Sequence, residues 1–478
     1  MSADELTGLS AGAQRAAILA REFSPLELVD AYLQRIERLN SKLCAYITVI
    51  ADRAREQAQA AGRALASGSV NSGNAGALFG VPVALKDQFC TRGVATTNGS
   101  RALADHVPQH DAAVVERLRA AGAILLGKLT MSELALGGTR NPPWGIPRNP
   151  WDLERTPGES SSGSGVALAA HLCSLSVGED TGGSGRTPAA YCNLVGLRPT
   201  YGRISRRGML TACWFLDQAA PMARTVEDCA RLLGAIAGHD PADATSSTRP
   251  VPDYAAALGG SIAGRRIGVI SELVDHPDVH PDVAGAFAAA LDVLRALGAQ
   301  VVPVSLPLLR HAGAIYIAVG DTEGAGAADA LLRSKGDLLD AASRTRLQAA
   351  ALVPFGVYNK AMKARVLLRR QVLAALSRVD ALVCPTSPFP PPAHTALTAP
   401  FSGAGDVRSR FFFRRGYTGT WALTALPAIS VPCGFTGAEL PVGLQIAAAP
   451  FNEAALLAIA HAYEQATPWH RRRAPHAT

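Results

Sequence analysis

Lysine is scarce in this chain of 478 residues: only six of the 46 basic residues are lysine, and the other 40 are arginine. No lysine follows the glycine-rich stretches, which excludes the phosphate-binding loop of nucleotide-hydrolysing proteins. Basic residues cluster only at 360–370 and 470–475, and we interpret these runs as a solvated helix face and a solvated tail. The net charge of +7 therefore forms no basic stripe, and we expect no nucleic-acid partner.

Paired cysteines and long apolar runs are also missing. None of the eight cysteines forms a C-x-x-C pair, which excludes the usual zinc spacings and favours a reduced, intracellular protein. The first ten residues, "MSADELTGLS", are acidic where a signal peptide would be basic. No window reaches the length of a membrane span, so the sequence predicts a cytoplasmic protein without a membrane partner.

Helical and strand patterns alternate along the chain. The segment 24–40 predicts a helix with Ser24 as its N-cap and Glu27 completing a capping box. The stretch 265–306 is typical of a strand, a helix and a second strand, and a final helix is expected to begin after Asn452. This alternation indicates an α/β layered architecture, and a hydrophobic content of 48% is enough for a large core.

The stretch "GEDTGGSGR" at 178–186 places Gly182 and Gly183 directly before Ser184. If Ser184 is a nucleophile, the glycines let backbone N–H groups approach a developing oxyanion. On this stretch alone, an ordinary glycine turn is the alternative. The G-x-S-x-G elbow of other serine hydrolases is absent because Arg186 stands where its second glycine belongs. The serine therefore needs a base from elsewhere in the chain.

Two further stretches have more than one interpretation. "PGESSSGSGVALAA" at 157–170 is either a flexible linker or a loop that runs into a closely packed helix of small residues. "VPVALKDQF" at 81–89 places Lys86 at the end of an apolar, β-branched strand. That lysine either reaches solvent from a strand edge or is buried with a lowered pKa, in which case it can accept a proton.

The order and spacing of these stretches resemble a known family. Lys86 ends its strand, Ser160 follows 74 residues later, and Ser184 follows after a further 24. The chain then continues "RTPAAYCNLVGLRPTYGRISRRG". A lysine, a serine–glycine loop and "DTGGS" in this order resemble the amidase signature family of serine hydrolases, over roughly 80–237 and 380–470.

The resemblance implies a role for each matching position. Ser184 is implied to be the nucleophile, Ser160 the bridging serine after a cis peptide bond, and Lys86 the general base that acts through Ser160. Activity is then expected to rise with pH as the lysine loses its proton. The implied oxyanion-hole donors are the N–H groups of Thr181, Gly182, Gly183 and Ser184. The residues implied to support the relay by hydrogen bonds are Ser161, Asp180 and Arg186. No metal and no cofactor are implied.

The fold implied by the resemblance is α/β, an α/β/α sandwich with a large mixed β-sheet core covered by helices on both faces. The whole chain is expected to form one amidase signature domain, 1–478. Its expected parts are an N-terminal helical part (1–75), a signature core (76–237), a variable substrate-shaping region (238–380) and a C-terminal completion of the core (381–478).

The chain departs from the family pattern at four positions. Glu159 and Ser162 stand where glycine is usual, Gly185 stands where a bulkier apolar residue is usual, and Glu179 stands where small residues are common. Glu159 adds a charge beside the relay. These departures indicate a divergent branch of the family.

The resemblance implies an amidase that hydrolyses a C–N bond of a small amide, such as an aryl or alkyl amide or a carbamate, through a serine acyl-enzyme. The alternative is the glutaminase (A) subunit of a tRNA-dependent amidotransferase complex, and an inactive binding module is a third hypothesis. The main hypothesis implies a small-molecule amide substrate as partner, and family members are often homodimers. The candidates for lining an apolar acyl pocket are Met131, Leu134, Trp214, Phe215, Tyr358 and Trp421.

Overall fold

Within residues 1–139, 141–398 and 402–477, which this computed structural model describes, eleven strands form one mixed sheet. In chain order they are β1 (Tyr46–Val49), β2 (Pro82–Lys86), β3 (Ile124–Leu129), β4 (Leu175–Glu179), β5 (Val195–Arg198), β6 (Ala219–Ala223), β7 (Arg266–Ile270), β8 (Gln300–Val304), β9 (Ala381–Pro385), β10 (Ala428–Phe435) and β11 (Pro441–Ala447). Across the sheet the order is β1-β3-β2-β4-β6-β5-β10-β11-β9-β7-β8.

Parallel pairs flank an antiparallel centre. β2 lies between β3 and β4 in parallel, and β7 lies between β9 and β8 in parallel. From β4 to β9 the neighbouring strands are antiparallel. The β10–β11 hairpin pairs with β5 on one side and with β9 on the other, so it joins the two flanks into one sheet. The division of the chain into four parts stays a prediction.

Helices surround this sheet. The α-helices of the described residues are α1 (Ala3–Gly8), α2 (Ala11–Ala20), α3 (Pro25–Leu43), α4 (Ala51–Ala66), α5 (Ala113–Ala120), α6 (Ser162–Ala169), α7 (Arg186–Tyr191), α8 (Val226–Ile236), α9 (Ser271–Val274), α10 (Pro281–Ala296), α11 (Ala312–Ala327), α12 (Asp329–Lys335), α13 (Ala341–Ala351), α14 (Phe355–Leu376), α15 (His394–Thr398), α16 (Ala404–Asp406), α17 (Arg414–Leu423) and α18 (Glu453–Gln465). Among these described helices, none combines the length and the apolar composition needed to cross a lipid bilayer.

Side chains on the strands alternate between two cores. In β2, Val83 and Leu85 belong to a core with α5, α8, α10 and α18, whereas Ala84 belongs to a core with α3 and α6. Beyond the centre of the sheet, α11, α14 and α17 form a third core with β9 and the ends of the β10–β11 hairpin. Because successive strand residues face opposite sides, helices cover both faces. The predicted α/β/α sandwich is confirmed.

Local sequence signals account for some helix ends. The Ser24 hydroxyl accepts a hydrogen bond from the Glu27 N–H at 3.1 Å, and the Glu27 carboxylate accepts one from the Ser24 N–H at 2.7 Å. The predicted capping box of α3 is therefore confirmed. Asn452 precedes α18 as expected, but its side chain makes no capping hydrogen bond within the described chain. Its φ of −102° and ψ of 34° lie outside the extended conformation that an N-cap normally has.

Candidate active site

Lys86 is the last residue of β2, and its side chain is fully buried. Its Nζ lies 2.7 Å from Ser160 Oγ and 2.8 Å from Glu179 Oε2. The apolar strand anchors the residue in the sheet interior, so the amine cannot reach solvent. The structure brings Lys86 and Ser160 together, and of the two interpretations of the lysine it supports the buried one.

Burial has the largest influence on the Lys86 amine. It holds the pKa of this lysine below the usual value, although the adjacent Glu179 carboxylate acts to raise it. A lysine with a lowered pKa has more of the neutral amine, which is the form that accepts a proton.

Ser160 lies on the loop that enters α6. The Glu159–Ser160 peptide bond is cis, as the resemblance implies. The next residue, Ser161, donates from its hydroxyl to the Glu179 carbonyl at 3.1 Å and from its N–H to the Ser184 carbonyl at 3.3 Å. These bonds connect the loop to the end of β4 and to the turn that carries Ser184.

The small residues of α6 allow the main chain of other segments to approach closely. A Cβ at Gly163 would lie within 3.0 Å of main-chain atoms of Ala45 and Thr130. A Cβ at Gly165 would be 3.1 Å from side-chain atoms of Pro188 and Cys192. The serine–glycine stretch is therefore a packed segment and not a linker.

Two neighbouring side chains explain the paired glycines before Ser184. A Cβ at Gly182 would overlap the Tyr316 ring, and a Cβ at Gly183 would overlap the Thr418 side chain. Gly183 also has a φ of +121°, a conformation that L-residues rarely adopt. The turn thus brings its main chain against Tyr316 and Thr418 and leaves Ser184 half-buried at the wall of a cavity.

The four N–H groups predicted to hold an oxyanion differ in their partners. The Gly183 N–H donates to Asp180 Oδ1 at 2.8 Å. The N–H groups of Thr181, Gly182 and Ser184 donate to no acceptor in the described part of the chain. Of the three unpaired donors, those of Gly182 and Ser184 belong to residues that line the cavity, while the Gly183 N–H fixes the shape of the turn.

Asp180 orders this turn through two buried arginines. Its carboxylate accepts hydrogen bonds from Arg186 Nε at 2.9 Å and Nη2 at 2.8 Å, and Arg198 Nη1 lies 3.3 Å from Oδ1. Burial acts to raise the pKa of Asp180, but Arg186 and Arg198 hold it well below its usual value. Arg186 also donates to Gln445 on β11 at 2.6 Å and to the Thr418 carbonyl at 2.9 Å. Arg198 was not foreseen from the sequence.

Ser160 and Ser184 line one cavity of about 50 Å³, whose walls are polar and apolar in similar proportion. Its lining consists of Ala135, Leu136, Gly137, Thr156, Gly158, Glu159, Ser160, Gly182, Gly183, Ser184, Thr187, Tyr191, Thr386, Ser387, Arg414, Arg415 and Thr418. Glu159, Arg414 and Arg415 give this lining charges of both signs. Arg414 and Arg415 were not predicted as site residues. Two adjacent charges in an otherwise apolar helical pattern were the signal that the sequence offered.

The predicted apolar pocket does not coincide with this cavity. Its six candidates, none of which is among the described residues lining this cavity, are Met131, Leu134, Trp214, Phe215, Tyr358 and Trp421. Trp421 is fully buried in the core of α11, α14 and α17, and Trp214 is 55% exposed with the Arg206 guanidinium over its ring. The aromatic bulk is used for packing and for surface contacts, because neither size nor hydropathy determines which surface a side chain faces.

The sequence also did not reveal a carboxylate network beneath Lys86. Glu179 accepts a hydrogen bond from the Thr181 hydroxyl, which lies 2.7 Å from Asp217 Oδ1. Burial, followed by the charge of Glu179, raises the pKa of Asp217 to about 7. The signal for Glu179 in the sequence was its position as a charged residue at the end of an apolar strand. No group of three or more metal-ligating side chains occurs among the residues described.

One link of the predicted relay is open in this state. Within the described residues, no hydrogen bond joins Ser160 Oγ to Ser184 Oγ, although both residues line the same cavity. Hydrogen bonds between catalytic groups are often long before a substrate binds. The arrangement supplies a proton acceptor at one serine and an accessible hydroxyl at the other.

Comparison with known proteins places the chain in a family. The amidase family model matches residues 27–457, and the chain belongs to that family. It is 40% identical over 481 residues to the A subunit of glutamyl-tRNA(Gln) amidotransferase from Thermosynechococcus vestitus, with 95% of this chain and 97% of that protein covered. The protein of the same name from Chromohalobacter salexigens is 42% identical over 496 residues, with 98% and 97% covered. The solved structure of native peptide amidase from Stenotrophomonas maltophilia has a TM-score of 0.82 and 32% identity, with 98% of each chain covered.

The family makes this chain a hydrolase of C–N bonds, as its motifs predict. The prediction of a small-molecule partner alone, without nucleic acid, is wrong, because the relatives are named as subunits of an amidotransferase that acts on a tRNA. The argument from basic residues failed because the charge pattern of a single chain does not report what an assembly of several chains binds.

Proposed function

We propose that this chain hydrolyses the side-chain amide of glutamine and releases ammonia, as the glutaminase (A) subunit of a tRNA-dependent amidotransferase. The observation that carries the proposal is the cavity at Ser184, which combines an accessible hydroxyl, the adjoining Lys86–Ser160 pair and charges of both signs. Full-length identity of 40% to the A subunit of glutamyl-tRNA(Gln) amidotransferase supports the choice of reaction.

The proposed chemistry is acyl transfer to Ser184. Neutral Lys86 takes the proton of Ser160 while Ser160 takes that of Ser184, and the resulting alkoxide attacks the amide carbon. The oxyanion is held by the N–H groups of Thr181, Gly182 and Ser184. When the C–N bond breaks, the proton returns through Ser160 to the leaving ammonia, and water then hydrolyses the acyl-enzyme.

The charges of the cavity suit a zwitterion. Glutamine carries an ammonium and a carboxylate, and the lining of the cavity includes the Glu159 carboxylate and the Arg414 and Arg415 guanidiniums. Glu159 is held in place by the Gly138 N–H, which donates to its Oε2 at 2.8 Å. A guanidinium binds a carboxylate through two parallel hydrogen bonds, so an arginine pair favours an acidic end of the substrate.

The test measures ammonia release by the purified chain and by the assembly isolated with it, with Ser184→Ala as the blank. Glu159→Gln is expected to raise the KM for glutamine about tenfold, as expected for loss of a hydrogen bond to a charged group. The same variant should leave the KM for glutaramate unchanged, because glutaramate lacks the α-ammonium group. Arg415→Gln should show the reverse preference, with 4-aminobutanamide as the analogue that lacks the carboxylate.

Two results would refute the proposal. One is the absence of ammonia release from glutamine by either preparation. The other is a Glu159→Gln variant whose KM rises equally for glutamine and glutaramate, because such a change would reflect the shape of the cavity and not recognition of the ammonium.

A stand-alone amidase is the second candidate, and the loop at Glu159 favours it. This residue stands where the family pattern has glycine, and its side chain forms part of the cavity wall. The likeness to a peptide amidase over 98% of each chain supports the same candidate. Turnover of anilides, aliphatic amides or carbamates by the lone chain, without glutamine turnover, would select it.

A further inference from the structure

Glu179 is a fully buried carboxylate in direct contact with the amine of Lys86. It closes β4, one strand away from the end of β2, and its Oε2 lies 2.8 Å from Lys86 Nζ. Both side chains are 0% exposed. The proposed chemistry assigns Glu179 no task, although it forms the closest ion pair of the proposed base.

The hydroxyl of Thr181 lies between two carboxyl groups. It donates to Glu179 Oε1 and lies 2.7 Å from Asp217 Oδ1. A hydroxyl has one hydrogen, so it cannot donate to both carboxyl groups, and the second contact needs a proton on the other carboxyl. Asp217 is the group that fits, because its Oδ2 already accepts from the N–H groups of Ala212 at 2.6 Å and Cys213 at 2.9 Å. Its Oδ1 is then the protonated oxygen.

The network therefore has a direction. Asp217 donates to Thr181, Thr181 donates to Glu179, and Glu179 as a carboxylate accepts from Lys86. The raised pKa of Asp217, about 7, agrees with a proton held there. Both oxygens of Glu179 are engaged, Oε2 by Lys86 and Oε1 by the Thr181 hydroxyl.

Other charged groups near this pair are matched by their own partners. The charge of Asp180 also acts to raise the pKa of Lys86, but it is paired with the guanidiniums of Arg186 and Arg198. Arg198 faces Glu179 as well, while it is bound to Asp180. The unmatched charge nearest to the amine is thus that of Glu179.

We propose that Glu179 is a positioning residue that acts through Lys86, as the counter-ion of the ammonium that forms when Ser184 attacks. This inference rests on the proposed nucleophilic role of Ser184 but not on the identity of the amide. When the proton of Ser184 has moved through Ser160 to Nζ, the Lys86 ammonium and the Glu179 carboxylate form a neutral pair inside the protein. The proton then leaves Nζ for the departing amine, and the carboxylate keeps its own state throughout.

The rate of fluorophosphonate labelling of Ser184, measured against pH, tests this inference without any amide substrate. In wild type the rate is expected to rise with pH as Lys86 becomes neutral. Glu179→Gln removes the counter-ion while burial remains, so Lys86 loses its proton more easily. The acid limb, the part of the profile in which the labelling rate rises with pH, should therefore move to lower pH by about one to two units. The plateau should also fall, by about tenfold, since the ammonium then forms without a partner.

Glu179→Ser provides a second variant in case the amide does not fold, because it restores the small residue that the family pattern has there. Glu464→Gln is the matched control, since it replaces a buried carboxyl outside this network by the same amide and should keep the wild-type limb. An unshifted limb with a lower plateau in the Glu179 variants would overturn the inference, as would a limb moved to higher pH. Wild type that takes no label at any pH would overturn the role of Ser184 together with the inference.

Discussion

Gly182 should tolerate no side chain, and the reason is a single aromatic ring. A Cβ built on this residue would lie well within 3.0 Å of three atoms of Tyr316, which is 6% exposed and belongs to α11. Carbon atoms normally approach no closer than about 3.5 Å. Gly182→Ala must therefore move the ring, the turn or both.

The size of the effect follows from that overlap. Forcing an extra methyl into a packed interior costs about 1–3 kcal/mol of unfolding free energy. The turn is the more movable partner, and its shift would carry the Gly182 N–H away from the oxyanion. Removing one such donor lowers kcat by about 10²–10³. We expect a drop in kcat of this order with a smaller change in KM.

The assay is steady-state turnover together with urea unfolding of each variant. Gly62→Ala is the matched control, because nothing lies within 4 Å of its Cβ position in α4 and the change should stabilise the helix by up to about 1 kcal/mol. In a Tyr316→Ala background the cost of Gly182→Ala should largely vanish, which a double-mutant cycle measures. Wild-type kcat in Gly182→Ala, or strictly additive effects in the cycle, would refute the reasoning.

Two further predictions concern buried charges. Asp180→Asn leaves Arg186 and Arg198 without a counter-charge and should lower the unfolding free energy by about 3–5 kcal/mol, whereas Asp30→Asn, which breaks an exposed ion pair, should cost less than about 1 kcal/mol. Similar urea midpoints for the two variants would contradict this. Burial raises the pKa of Glu464 from 4.5 to about 8, so the stabilisation from its proton is complete below pH 4.5 and is lost as pH rises towards 8. Relative to Glu464→Gln, wild type should lose up to about 1.4 kcal/mol per pH unit in that window, and parallel stability curves would disprove the assignment.

Local signals in the sequence identified those features that local physics controls. The N-terminus of α3 follows from the reciprocal hydrogen bonds of Ser24 and Glu27, which involve only neighbouring residues. The contact between Lys86 and Ser160 could also be predicted from the sequence, because both residues belong to motifs whose order and spacing are distinctive. Neither inference needed knowledge of the tertiary packing.

Features that depend on packing between distant parts of the chain could not be predicted from the sequence. The Thr418 hydroxyl donates to the Gly182 carbonyl at 2.6 Å across 236 positions of chain, and no local pattern links the two residues. Tyr316, whose ring leaves no room for a side chain at Gly182, lies on α11. This helix belongs to the region 238–380, which was expected to be variable. The residues that line the cavity at Ser184 could not be predicted from the sequence for the same reason, since residue type gives no information on orientation within the fold.

The central hairpin is the part of the sheet that links the other strands. Without residues 428–447, the strands within 46–223 and those within 266–385 would share no strand pairing, and Arg186 would lose its contact with Gln445. Lys86, Ser160 and Ser184 all precede the hairpin, so a chain cut short before residue 428 would contain all three but lack this support of the Ser184 turn. We expect such a truncated chain to be inactive.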